Sequence, residues 1–162
     1  MKDKDTVIIL CTGNICRSPM GEGLLKHAIE GLPTDSPLKK LKVISAGTFG
    51  EDGLPASPNS VTALQKVGVD ISKHVAKTLT PAMLERAFAL VAMTQSHLDT
   101  VKYRFPNSMP ERAVTLLSLD PKAKNRDVMD PYGYGIRTYL EVRDEIAAAI
   151  PHLVKYLEQE MQ

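Results

Sequence analysis

Cysteine is scarce in this chain and confined to one place. Only Cys11 and Cys16 occur among 162 residues. Two cysteines separated by four residues do not match structural zinc spacing, and no second ligand pair follows, so no metal site is expected. Charge of one sign is not in excess either. Twenty basic residues face 19 acidic ones, for a net charge of +1. That balance removes the electrostatic case for nucleic acid or an anionic membrane as the main partner. No apolar run approaches the roughly 18 residues that a membrane span needs. The opening MKDKDTVIIL mixes charges around a short apolar run and lacks a signal-peptide core of about 7–15 apolar residues. The expectation is a cytoplasmic protein with reduced thiols. Internal repeats and low-complexity tracts are also missing. What remains is a globular composition, 43% hydrophobic and 24% charged, long enough to bury a real core as one domain over 1–162.

The pattern alternates strands with helices. TVIIL, from Thr6, is a β-branched apolar run typical of a buried parallel strand. Met20, Leu24, Leu25, Ala28 and Ile29 recur at helical spacing and predict a helix over 18–30, with Pro19 in its first turn. LKVISAG predicts a second strand ending at Gly47. Residues 58–67 read as a helix ending at Gly68. Thr80-Pro81 opens a short helix over 81–86. FALVAM is a third strand; Ser96 with Asp99 opens a helix that stops by Pro106; AVTLLS is a fourth strand. A long helix is expected over 136–159, with a kink or break at Pro151. Asp120-Pro121 is assigned only a turn after the fourth strand. The order argues for an α/β fold with a parallel sheet, which binds ligands at the carboxyl ends of strands where strand order reverses.

The loop CTGNICRSP lies at one such end. Backbone N–H groups from Thr12 to Cys16 can converge on one point, and the helix beginning near Arg17 adds its free N–H groups and positive dipole end. Gly13 and Asn14 tolerate the left-handed backbone that such a cup requires. Arg17 offers a planar fork for two phosphate oxygens. Dipoles and guanidinium together favour a thiolate at the base of the cup, so Cys11 reads as a nucleophile aimed at a bound phosphorus. A phosphate ester also needs its leaving oxygen protonated. In RDVMDPYGYG, Asp130 precedes Pro131, which stiffens its loop. Tyr132 and Tyr134 could wall a pocket for an aromatic group, and Asp127 is a rival carboxylate.

These residues carry a resemblance. VIILCTGNICRSPMGEG is similar to the signature of the low-molecular-weight protein tyrosine phosphatases. ISAGT at 44–48, GVDISKH at 68–74, VAMTQSH at 91–97 and DPYGYG at 130–135 match later landmarks of that family in order. The resemblance implies a four-stranded parallel sheet flanked by helices on both faces, with the phosphate loop, Thr12 to Ser18, after the first strand. It implies Cys11 as nucleophile, Arg17 as phosphate clamp, and Asp130 as general acid and then base. It gives Ser18 a hydrogen bond to the thiolate, and Asn14 a loop-supporting network with Ser45 and His74. It makes Cys16 a resolving thiol able to trap an oxidised Cys11 as a disulfide. No cofactor is implied. The substrate would be a phosphotyrosine protein, and the opposing partner a tyrosine kinase such as those of surface-polysaccharide export. His27 and His97 are expected on helix surfaces, and His152 earns no role.

The chain departs from the animal members of the family where Gly133 separates Tyr132 from Tyr134, and in carrying Pro151. Two related activities compete. Protein arginine phosphatases resemble this chain but tend to carry threonine where Ile15 stands; Ile15 has no hydroxyl to position water against a phosphoramidate and favours the tyrosine reading. Thiol-dependent arsenate reductase needs a further redox cysteine outside the loop, which is missing. An inactive phosphate-binding module is disfavoured because every proposed chemical group is present.

Overall fold

The computed structural model describes residues 3–162; the expected domain start at residue 1 lies outside them. Four strands form one parallel sheet: β1 (Thr6–Cys11), β2 (Lys42–Gly47), β3 (Ala87–Ala92) and β4 (Ala113–Thr115), in the spatial order β2-β1-β3-β4. Five helices surround it: α1 (Arg17–Glu30), α2 (Pro58–Gln65), α3 (Pro81–Glu85), α4 (Gln95–Arg104) and α5 (Ile136–Glu160). Among the described residues, no helix is long and apolar enough to cross a membrane.

The central strand explains the layers. Every residue of β1 is buried, and strand side chains alternate between faces. Val7, Ile9 and Cys11 join a core with Met20 and Leu25 of α1, Leu64 of α2 and Ile146, Leu153 and Leu157 of α5. Ile8 and Leu10 join a second core with Leu84 of α3 and Leu98 and Val101 of α4. An unbroken apolar strand is therefore what a sheet covered on both faces requires. Because β2 lies on one side of β1 and β3 on the other, the chain reverses its winding at the carboxyl end of β1. That is where an open α/β sheet leaves a crevice, and the Cys11–Arg17 loop fills it.

Three expectations need correction. Pro151 does not break α5, which runs as one helix of 25 residues. Pro151 is exposed, so the bond it cannot donate falls on the solvent side. The opposite stripe of Ile146, Ile150, Leu153, Val154 and Leu157 stays buried and holds the helix together. The fourth strand ends at Thr115 rather than continuing to Ser118. The Ser118 hydroxyl donates to the Thr115 carbonyl at 2.7 Å, and Leu117–Leu119 turns as a 3₁₀ segment. Helix α4 starts from Thr94, not Ser96: the Thr94 hydroxyl accepts from the His97 backbone N–H, and the His97 side chain accepts in return from the Thr94 N–H.

Gly47 ends β2 directly beneath the loop. A Cβ there would stand 2.4 Å from the Thr12 carbonyl oxygen, 2.8 Å from the Phe49 carbonyl oxygen and 3.1 Å from the Asn14 nitrogen. All three are backbone atoms, so the loop itself must move. Gly47→Ala is expected to cost about 1–3 kcal/mol of stability and to weaken inhibition by inorganic phosphate. Gly31→Ala, where φ is −79° and a Cβ comes no nearer than 3.6 Å to its neighbours, should change neither. Urea unfolding and phosphate inhibition of both variants check this; an unperturbed Gly47→Ala would contradict the packing described.

Candidate active site

The loop is shaped by what holds its carbonyls from behind. The Cys11 carbonyl accepts from Thr48 N–H, that of Thr12 from Phe49 N–H, and that of Ile15 from Ser57 N–H, at 2.9, 2.9 and 2.8 Å. The Asn14 carbonyl accepts from His74 Nε2 at 2.7 Å and the Cys16 carbonyl from the Ser60 hydroxyl at 3.2 Å. In a trans peptide the N–H points away from the C=O. The N–H groups of Thr12, Gly13, Ile15, Cys16 and Arg17 therefore turn the other way, toward the cavity in front. Helix α1 begins there with no side-chain cap and no acidic residue in its first turn. Its free N–H groups and dipole end are left for an anion.

Asn14 holds this shape. Among the described residues it is the one non-glycine at positive φ, 58°, a conformation that asparagine tolerates better than most side chains. The Lys77 N–H donates to Asn14 Oδ1 at 3.0 Å, which fixes the amide orientation. The Nδ2 group donates to Ser18 Oγ at 2.8 Å and Ser45 Oγ at 2.9 Å. Ser45 passes its own hydrogen to Glu22 Oε1 at 2.6 Å. Ser18 Oγ, already accepting from Asn14, lies 2.8 Å from Cys11 Sγ and has its hydrogen free to donate there. Asn14, Ser18, Ser45 and His74 thus form one connected network, and Cys11 terminates it.

A cavity of about 210 Å³ opens in front. Cys11, Thr12, Gly13, Ile15, Cys16, Arg17, Asp130 and Tyr132 line it. Asn14 and Ser18 stand behind the wall, and Tyr134 is exposed outside it. Arg17 is 4% exposed. Its Nη1 donates to the Val128 carbonyl at 2.9 Å and its Nη2 to Thr12 Oγ1 at 3.3 Å. Arg17 Nε is buried with no protein partner, so the fork retains donors for a ligand. Asp130 is 52% exposed, and its Oδ2 lies 3.7 Å from Arg17 Nη2. Its other oxygen accepts from the Tyr132 N–H at 3.1 Å, which fixes the turn. Asp127 is tied elsewhere: its Oδ1 accepts from the Gln95 N–H at 3.0 Å, and it faces a separate cleft.

Cys16 is buried, with Ser57 Oγ at 3.5 Å and Tyr139 Oη at 3.4 Å from its sulfur. Burial pushes its thiol up from the ordinary value, and pushes the Tyr139 phenol up to about 12. The sequence reading missed His97. It is not on a helix surface: it is 5% exposed, and its Nε2 lies 2.9 Å from Thr12 Oγ1. The Thr-x-x-His spacing of a reciprocal helix cap was the available signal. Burial first, and then the Arg17 guanidinium, pull its pKa from 6.5 to about 4. His27 stands exposed on α1, as expected, and His152 lies 3.5 Å from Asp120 on the remote side of α5.

The sequence model described as "Low molecular weight phosphotyrosine protein phosphatase" matches residues 6–162. A protein-arginine-phosphatase of Bacillus subtilis is 33% identical, over 95% of this chain and 97% of that one. A low molecular weight protein tyrosine phosphatase from T. tengcongensis superposes with a TM-score of 0.82 at 34% identity, covering 93% of this chain and 98% of that one. A Cys-to-Ser mutant of the YwlE arginine phosphatase, with its active-site serine phosphorylated, has a TM-score of 0.82 and 33% identity over 95% and 96% of the two chains.

The buried neutral His97 couples stability to pH. An unfolded chain protonates it near 6.5, the folded protein only near 4. Its contribution is therefore complete above about pH 6.5 and is lost as pH falls toward 4. Urea midpoints at pH 7 and pH 5 should fall further for the wild type than for His97→Gln; equal declines would contradict the assignment.

Proposed function

The chain belongs to the low molecular weight phosphotyrosine protein phosphatase family, and from that membership we propose that it hydrolyses phosphotyrosine in proteins through a phosphoryl group carried on Cys11. The observation that carries this reading is the stacking of the cavity. Cys11, Arg17 and Asp130 all line it, with a Ser18 hydroxyl 2.8 Å from the Cys11 sulfur and the Asp130 carboxylate 3.7 Å from the Arg17 fork. The phosphoryl oxygens occupy the ring of N–H groups and the free Arg17 donors. This fixes the phosphorus over the sulfur and neutralises charge as it develops.

The reaction has two steps. The Cys11 thiolate attacks phosphorus; an S–P bond forms and the P–O bond to the tyrosine ring breaks. Asp130 gives its proton to the departing phenolate oxygen. Water then attacks the cysteinyl-phosphate. Asp130, now a carboxylate, takes a proton from that water, the S–P bond breaks, and Ser18 stabilises the released thiolate by donating to it. The products are tyrosine and inorganic phosphate, and the thiolate is restored. Cys16, whose thiol burial pushes up, is not the residue that attacks phosphorus; in this reading it acts only on an oxidised Cys11, as a resolving thiol working through its minor thiolate fraction.

Ile15 and Tyr132 set the substrate. They present an aliphatic and an aromatic surface to the cavity, which suits a flat ring between them. Ile15 supplies no hydroxyl to a phosphoramidate. The second reading, an arginine phosphatase, is supported by the relative from Bacillus subtilis. Cytoplasmic phosphoproteins, with a tyrosine kinase as the opposing enzyme, complete the proposal.

One experiment tests substrate and acid together: phosphotyrosine and phosphoarginine peptides offered to the wild type, Asp130→Asn and Asp127→Asn. The wild type should prefer phosphotyrosine by at least about tenfold in kcat/KM. Asp130→Asn should lose about 100-fold or more in kcat on phosphotyrosine, and less on p-nitrophenyl phosphate, whose leaving group needs no proton. Asp127→Asn should stay near wild type. Preference for phosphoarginine would establish the second reading, and a larger loss at Asp127→Asn would move the acid.

A further inference from the structure

His97 is a buried titratable side chain beside the cavity that the two-step cycle leaves without a task. We propose that His97 is a positioning residue, which turns the Thr12 hydroxyl into an obligate donor to the bound phosphoryl group and holds the Arg17 fork beside it. This rests on the phosphatase reading above.

The partners of the imidazole decide where its hydrogen sits. The Thr94 backbone N–H lies 3.1 Å from His97 Nδ1. A backbone N–H can only donate, so Nδ1 carries a lone pair. The ring is neutral at ordinary pH, being buried and next to Arg17, against the opposing pull of Asp127 and Asp130. Its one hydrogen is then on Nε2, 2.9 Å from Thr12 Oγ1. Thr12 therefore accepts from His97. It also accepts from Arg17 Nη2, at 3.3 Å. Both lone pairs of the hydroxyl oxygen are taken by donors, and its own hydrogen can return to neither. The direction left is the cavity that Thr12 lines.

The consequence is electrostatic. A threonine free to rotate can present a lone pair to an anion as readily as a hydrogen. With His97 and Arg17 both donating to it, the hydroxyl presents only the hydrogen. The same oxygen anchors Arg17 Nη2, while the Val128 carbonyl anchors Nη1. The guanidinium plane is held from two sides, and its buried Nε is committed to no protein acceptor. The reciprocal cap at the start of α4 keeps the imidazole in place: the Thr94 hydroxyl accepts from the His97 N–H at 3.2 Å and lies 3.0 Å from Nδ1.

The test is a double-mutant cycle read by inorganic phosphate inhibition and by kcat/KM on p-nitrophenyl phosphate. His97→Asn keeps an acceptor for the Thr94 N–H but loses the donor to Thr12. Thr12→Val removes the hydroxyl. Each should weaken phosphate binding about tenfold, the scale of one hydrogen bond to a charged group. Combining them should be no worse than Thr12→Val alone, because His97 acts through Thr12. His97→Gln, which restores an N–H near the Nε2 position, should recover to within about threefold of wild type. Losses that multiply in the double variant, or unchanged phosphate binding in His97→Asn, would overturn the proposal. Nitrogen-15 spectra of the wild-type imidazole need no variant: protonated Nε2 at pH 7, with its N–H signal shifting on phosphate addition, is expected, and protonated Nδ1 would overturn it. A wild type inactive on every aryl phosphate overturns the phosphatase reading; an active one with multiplying losses overturns only the role of His97.

Discussion

The site depends on one constraint: the carbonyls of the loop after β1 are held from behind, and Asn14 is the clasp. A ring of inward N–H groups is a concentration of like partial charge, and an unconstrained loop would relieve it by rotating peptides. Here the carbonyls of Cys11, Thr12, Asn14, Ile15 and Cys16 are engaged, by Thr48, Phe49, His74, Ser57 and the Ser60 hydroxyl in turn. Asn14 adds the left-handed residue and a side chain that ties Lys77, Ser18 and Ser45 together. Its donors also decide that Ser18 has a hydrogen free for Cys11. Loop shape and sulfur environment are consequences of the same amide.

The fold supplies what that clasp grips. β2 lies beside β1 and delivers Ser45, Gly47, Thr48 and Phe49 to the back of the loop. Gly47 allows the approach because a Cβ would collide with loop backbone. On the other side, β3 leads to Met93, whose N–H donates to Leu10 O and whose carbonyl accepts from Val128 N–H. Val128 then holds Arg17. Parallel pairing on both flanks of β1 is thus what converts strand order into site geometry. Arg17 is buried, and it is tolerated because it donates to the Val128 carbonyl and to Thr12 and has the half-exposed Asp130 carboxylate 3.7 Å away.

Much of this was legible in the chain. The strand-loop-helix run from Val7 to Gly23, the alternation of strands and helices, and the Asn14, Ser45 and His74 grouping all correspond to what is observed. The misreadings share a cause: local signals lost to tertiary packing. Pro151 looked like a helix breaker, but it sits on the solvent stripe of a helix whose other side is buried. Leu116 to Ser118 looked like strand, but a short-range hydroxyl bond ends the ladder at Thr115. His97 looked like a surface residue because its Thr-x-x-His spacing marks a helix cap but not the packing of that first turn against the loop. Its partner Thr12 is 85 residues away, a separation that no local pattern encodes.

The proposed reaction turns on covalent capture of phosphorus by Cys11. The direct measurement is acid quench of the enzyme during turnover of an aryl phosphate, followed by intact-protein and peptide mass spectrometry. A mass increment of one phosphoryl group is expected, mapped to Cys11 and absent from Cys11→Ala under the same turnover conditions. Steady turnover with no such adduct, or an adduct mapped to another residue, would contradict it.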